Sequence, residues 1–187
     1  MSGSQIRESV QVFPSALGWM ALVTADSRVR RLSFGHSTPQ AARDDVVWRL
    51  PFREETPVCE AKGEDRDSED EPLVTRLQAY AEGVGDDFLD VELDLGPQTE
   101  FQRRVIDGCR RIPLGETLTY GELAERSGYP RAARAVGNCM RTNPIPLLVP
   151  CHRVVGSGGA MRGYSAGEGI RMKLRLLELE SSAVATL

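Results

Sequence analysis

Histidine is scarce in this 187-residue chain: there are two, His36 and His152. A dedicated zinc site draws on clustered His and Cys ligands, so no metal is expected. The four cysteines, Cys59, Cys109, Cys139 and Cys151, are too few and too scattered for a disulfide framework, and none form a C-x-x-C pair. That usage points to a reducing compartment, the cytoplasm. No apolar run approaches the roughly 20 residues of a membrane span, so no membrane association is expected. Met1 to Val10 lacks the basic-then-apolar pattern of a secretory signal. Internal repeats are absent too. What is present is ordinary for a globular protein: 41% hydrophobic and 27% charged residues, enough for one mid-sized domain or two small ones.

The net charge of −4 hides an asymmetry. Residues 1–95 carry 10 basic and 19 acidic side chains, net −9, whereas 96–187 carry 13 and 8, net +5. A basic second half is compatible with a polyanionic partner, although most surface arginines are simply solvated.

The first half reads as a small sheet domain. Gly18 to Val23 is an apolar strand candidate and Val29 to Gly35 alternates, with Asp26-Ser27 at the expected turn. Thr38 to Trp48 is predicted helical, with Thr38 as N-cap and Pro39 at the first helical position. The segment 53–71 holds nine acidic and three basic residues and reads as a solvated loop. Leu73 to Ala81 is a short amphipathic helix, Phe88 to Leu95 alternates like an edge strand, and Gly96-Pro97 marks the boundary.

The second half turns helical. Thr99 caps a helix carrying Phe101, Val105, Ile106 and Cys109 on one face. Thr119 opens a short helix, Tyr120 to Arg126, closed by Ser127-Gly128-Tyr129-Pro130. A third helix runs from Arg131 to about Met140. Two short helices around a Gly-containing turn fit a helix-turn-helix or an ordinary helical hairpin.

The chemistry concentrates in Asn143-Pro144-Ile145-Pro146-Leu147-Leu148-Val149-Pro150-Cys151-His152-Arg153. Three prolines stiffen an apolar segment that ends on a cysteine with a histidine beside it. A free thiol, with a pKa near ~8.5, is mostly protonated at neutral pH, and an adjacent base or cation corrects that. A buried, inert cysteine is the other reading.

Pro150-Cys151-His152-Arg153-Val154 resembles the active-site signature of the alkylguanine-DNA alkyltransferases (methylated-DNA–protein-cysteine methyltransferases). Tyr120-Gly121-Glu122-Leu123-Ala124, Arg131 to Gly137, Asn143-Pro144 and Gly163-Tyr164-Ser165 occur in the family's order, and the similarity spans about Phe101 to Glu180. The resemblance implies an N-terminal α/β domain with a ribonuclease-H-like sheet (1–95) and a winged helix-turn-helix catalytic domain (96–187). It implies stoichiometric DNA repair by a cytoplasmic monomer that acts without a cofactor and associates with the nucleoid when on DNA. Cys151 resembles the alkyl acceptor, His152 its base, Asn143 the brace of the turn, and Glu180 the carboxylate that orients the histidine, with Glu178 as its competitor. A solvated helix charge paired with Lys173 or Arg175 is the plain alternative for either glutamate. Double-stranded DNA is expected to be bound through the minor groove, the base being flipped out of the duplex. Arg134 and Tyr120 resemble the flipping pair, joined on the DNA side by Arg141 and the small residues Ala135 and Gly137. Val154, Tyr164, Ser165 and Met140 resemble the guanine pocket. The zinc ligands some members carry in the first domain have no counterpart here, where only His36 and Cys59 stand.

Overall fold

A computed structural model of the chain describes residues 8–47, 58–60, 71–161, 164 and 166–185, with backbone alone at 58–60. The chain divides into two units: Met1–Glu82 with Val91–Asp94, and Gly83–Asp90 with Leu95–Leu187. Both helices and a small sheet are present, giving a mixed α/β protein.

In the first unit, strands β1 (Glu8–Phe13), β2 (Trp19–Ala25), β3 (Arg28–His36) and β4 (Val58–Glu60) lie in the order β3-β2-β1-β4. β2 is antiparallel to both β1 and β3, and β4 joins β1 in parallel. The β2–β3 hairpin turns at Asp26 and Ser27, both left-handed with φ of 48° and 62°, the pairing that matches strand twist. Helix α1 (Pro39–Val47) begins where the Ala41 amide donates to the Thr38 hydroxyl at 3.1 Å. Its Ala42 and Val46 pack on Val10, Val12, Ala21 and Val23. Each valine side chain so buried contributes on the order of 1.5–3 kcal/mol. Trp48, expected to end the helix, lies outside the described residues. Helix α2 (Glu71–Ala81) completes the unit and contains the expected Leu73–Ala81 helix.

Three expectations need correcting. Strand β1 has no counterpart among the sequence-based strands, because Val10, Gln11, Val12 and Phe13 are all buried and Gln11 interrupts any apolar run. The acidic stretch 53–71 is not loop throughout: Val58-Cys59, its one adjacent apolar pair, pairs with β1. Residues 53–57 and 61–70 lie outside the described residues. Finally, 88–95 is not an edge strand. Phe88 is left-handed (φ 51°), its amide bonded to Asp86 Oδ1 at 2.8 Å, so only Leu93 makes an isolated bridge, to Val29. Arg30 holds that segment through Asp94 at 2.7 Å.

The second unit is mainly helical. Reciprocal Thr99–Gln102 hydrogen bonds start helix α3 (Glu100–Arg110), which buries Val105, Ile106 and Cys109. The two-residue strand β5 (Leu118–Thr119) leads into α4 (Tyr120–Arg126), started by the same device between Thr119 and Glu122. Helix α5 (Ala133–Arg141) begins two residues later than expected, because Arg131 is left-handed (φ 70°). Phe101 meets Tyr129 edge-on at 4.9 Å, fixing the turn between α4 and α5 against α3. Strand β6 (Val154–Val155) pairs in parallel with β5, and α6 (Ile170–Ala185) closes the unit. The β5–β6 pairing seats the cysteine segment beside the start of α4.

Candidate active site

Asn143 builds the approach to the cysteine. Its Oδ1 accepts from the Ile145 amide at 3.0 Å, and its Nδ2 donates to the Val149 carbonyl at 2.8 Å and to Cys151 Sγ at 3.2 Å. One side chain therefore ties the backbone of the proline-rich segment to the sulfur. Ile145, Leu147, Leu148 and Val149 are buried, and that packing holds Leu147 at φ 73°, a conformation a leucine adopts only under constraint. Cys151 to Arg153 then form one tight 3₁₀ turn, with Arg153 N donating to Pro150 O at 2.9 Å.

Helix α6 grips this turn. Glu180 Oε1 pairs with His152 Nε2 at 2.7 Å, and both carboxylate oxygens take Arg153, at 2.9 Å from Nε and 2.9 Å from Nη2. The Gly115 amide adds a 3.3 Å contact, and Arg153 Nη1 donates to Ile112 O at 2.7 Å. His152 and Glu180 are 0% and 1% exposed. Of the two candidate glutamates, Glu180 meets His152 and Glu178 is exposed. Lys173 is no solvated partner for either: it is fully buried and donates to the Val154 carbonyl at 2.6 Å.

A cleft of about 540 Å³ lies at the start of α4 and along α5. Tyr120, Arg134, Gly137 and Arg141 line it, together with Thr119 and Ser157, which sequence reasoning did not assign to the site. Arg134, Ala135 and Arg141 are exposed. A Cβ at Gly137 would meet the Tyr120 ring at 3.9 Å, an ordinary contact, so internal packing does not demand glycine there. Met140 and Val154 are buried, Tyr164 is half-buried, and Ser165 lies outside the described residues.

Residues 100–182 match the family model described as "6-O-methylguanine DNA methyltransferase, DNA binding domain". The crystal structure of Mycobacterium tuberculosis OGT in complex with DNA is 36% identical, covers 94% of each chain and superposes with a TM-score of 0.67. The chain belongs to the 6-O-methylguanine-DNA methyltransferase family. The methylated-DNA–protein-cysteine methyltransferase of Mycobacterium leprae is 51% identical over 113 residues, 60% of this chain and 66% of that one. The chain thus spans just under two thirds of the length of the curated relatives it matches. A family structure from Pyrococcus kodakaraensis is 26% identical, covering 92% of this chain and 98% of that one, with a TM-score of 0.64.

Within this site the charges are ordered by burial. Burial pushes the Cys151 thiol up, while the Asn143 hydrogen bond and the positive charge of Lys173 pull it back. Burial pushes His152 down and keeps it neutral, against the raising influence of Glu180. Burial alone would raise Glu180 as well. The hydrogen bonds from His152 and Arg153, with the Arg153 charge, outweigh it and hold the carboxyl at about 2. An ionised carboxylate only accepts, so His152 Nε2 carries the imidazole proton and the basic lone pair sits on Nδ1.

Sequence reasoning missed Arg153 as the second partner of Glu180, the Gly115 amide, and Lys173. Lys173 had one readable signal: it stands beside Met172 and seven residues before Glu180, on the buried stripe with Leu176. Among the described residues, one group of carboxylates is close enough to hold an ion, Asp86, Asp87 and Asp90. Two of these three bond the backbone of the Phe88 turn instead.

Proposed function

We propose that this protein repairs DNA by moving the alkyl group of 6-O-alkylguanine onto Cys151, once per molecule. The observation that carries this reading is the ordered pair His152–Glu180 beside a cysteine already hydrogen-bonded by Asn143. In the reaction the thiol proton passes to His152 Nδ1 through a water, and the thiolate attacks the alkyl carbon. The carbon–oxygen bond breaks and its electron pair stays on guanine. Guanine then gains at N1 the equivalent of the proton the thiol lost, so the balance closes without a cofactor. Glu180 stabilises the imidazolium formed on the way.

The alkylated oxygen lies within the base stack, so the nucleotide must leave the duplex. Arg134 would enter the vacated space, and Tyr120 would crowd the phosphate and contact the extruded base. Arg141, Ala135 and Gly137 would lie along the DNA backbone in the minor groove. Val154 through its carbonyl, Tyr164, Ser165 and Met140 would form the guanine pocket. We assign residues 96–187 to a winged helix-turn-helix catalytic domain and 1–95 to a ribonuclease-H-like domain. The working unit would be a monomer in the cytoplasm, on the nucleoid when engaged. Among the described residues, no helix is long and apolar enough to cross a membrane.

A thioether is a poor leaving group and no hydrolytic second step is provided, so repair should plateau at one equivalent per protein against excess methylated DNA. Intact-protein mass should rise by one methylene, located to the Cys151 peptide. Continued repair well past one equivalent would overturn the mechanism.

A further inference from the structure

Helix α5 turns one stripe of residues outward. Arg134, Ala135, Asn138, Arg141 and the C-cap Thr142 are exposed, at spacings of three and four, while Val136 and Met140 are buried on the other side. Asn138 is the middle of that stripe. By the rise of an α-helix it stands about 6 Å along the axis from Arg134 and about 4.5 Å from Arg141, both of which line the cleft.

Folding makes little use of this side chain. Asparagine is a poor former of helix interiors and favours caps and turns, where its amide bonds the backbone. Asn138 serves neither end: α5 starts at Ala132 without a side-chain cap, and its last turn is bonded by Thr142. The Asn138 backbone carbonyl accepts from the Thr142 hydroxyl at 3.1 Å, whereas its carboxamide bonds no other described residue. The rest of the stripe offers different chemistry. The two arginines only donate and are charged, Ala135 has no polar side-chain atom, and the Thr142 hydroxyl is spent on the carbonyls of Asn138 and Cys139. Asn138 alone in the stripe presents a neutral donor and a neutral acceptor side by side.

That pairing matches one feature of a minor groove. Every base pair offers acceptors there, and only a pair containing guanine adds a donor, the N2 amino group. A carboxamide can donate to a ring acceptor and accept from that amino group together; at an A·T pair its oxygen is left without a partner. A guanidinium has no acceptor and draws no such distinction.

We propose that Asn138 reads the base pair beside the lesion through the minor groove, favouring a guanine-containing neighbour over A·T. This rests on the reading of α5 as the helix that faces DNA, and it makes Asn138 a specificity-determining residue with a part separate from flipping. Arg134 and Arg141 flank it with attraction that does not depend on sequence.

The test moves the amino group alone. Inosine·C is G·C without it, and diaminopurine·T is A·T with it. Transfer rates at limiting DNA are measured on duplexes bearing one 6-O-methylguanine flanked by each of the four pairs, for wild type and Asn138→Ala. The position is exposed and alanine favours helix, so the variant should fold. A bidentate base contact discriminates by roughly fivefold or more. Relative to Asn138→Ala, the wild type should therefore slow about fivefold when inosine·C replaces G·C, and gain as much when diaminopurine·T replaces A·T. Altered stacking or duplex stability would move both proteins alike, so equal ratios in the two would overturn the proposal alone. Absence of methyl transfer to the wild type from every duplex would overturn the repair reading and this proposal with it.

Discussion

Replacing Glu180 by Gln separates the two things this carboxylate does. In the folded protein it is held at about 2 against an ordinary value of 4.5. A folded value below the unfolded one stabilises the ionised protein, fully above about pH 4.5 and progressively less as pH falls toward 2. At 1.36 kcal/mol per pKa unit that amounts to about 3 kcal/mol. Breaking a buried ion pair from one side costs a similar ~3–5 kcal/mol, because Arg153 would be left buried against a neutral amide. Urea unfolding at pH 7 should therefore show Glu180→Gln less stable by about 3 kcal/mol. The gap should narrow between pH 5 and pH 3, where only the wild type loses this contribution. His152, whose value burial lowers, also costs stability as pH falls below its ordinary 6.5; that loss begins at higher pH than the Glu180 step and is the larger in Glu180→Gln, which lacks the raising influence of the carboxylate. Alkyl transfer should fall roughly 10–100-fold, since His152 loses the partner that orients it and stabilises its charged form. DNA affinity should hardly change, because Glu180 is buried within the protein. Parallel loss of stability in the two proteins from pH 5 to pH 3, with wild-type transfer, would refute the reasoning.

Two further outcomes are expected. Arg134→Ala should slow repair of duplex DNA far more than reaction with the free base, which has no stack to leave; single-turnover rates on the two substrates check it, and equal slowing would remove Arg134 from flipping. Asn143→Ala should lower stability by about 1–3 kcal/mol, since it strips partners from Val149 O and the Ile145 amide. It should also displace the pH profile of Cys151 alkylation by iodoacetamide to higher pH, because the hydrogen bond to Sγ favours the thiolate.

Much of the site was legible because its signals are local. An N-cap such as Thr119 acts within three residues, here on Glu122, and Thr119 alone placed the start of α4 to the residue. The Asp26-Ser27 turn and the apolar face of α3 obey the same short-range rules. Expectations failed where the outcome turned on a distant partner. Val58-Cys59 becomes a strand only because β1 offers it an edge. The 88–95 segment loses its strand because two aspartates turn the backbone at Phe88 first.

By itself the sequence determined the reactive segment: three prolines and a buried apolar run that present Cys151, His152 and Arg153 in one stiff turn, together with the family whose motifs surround them. Which charges face that turn was decided only by tertiary structure. Glu180 and Glu178 are two residues apart on one helix, and their difference is which side of α6 meets His152, 28 residues away in the chain. Lys173 looks like a surface lysine until the helix packs, and packing alone places its ammonium on the Val154 carbonyl. The physical reason is one of range: caps and turns are settled within a few residues, whereas the protonation of a buried site depends on every charge that folding brings within a few ångströms of it.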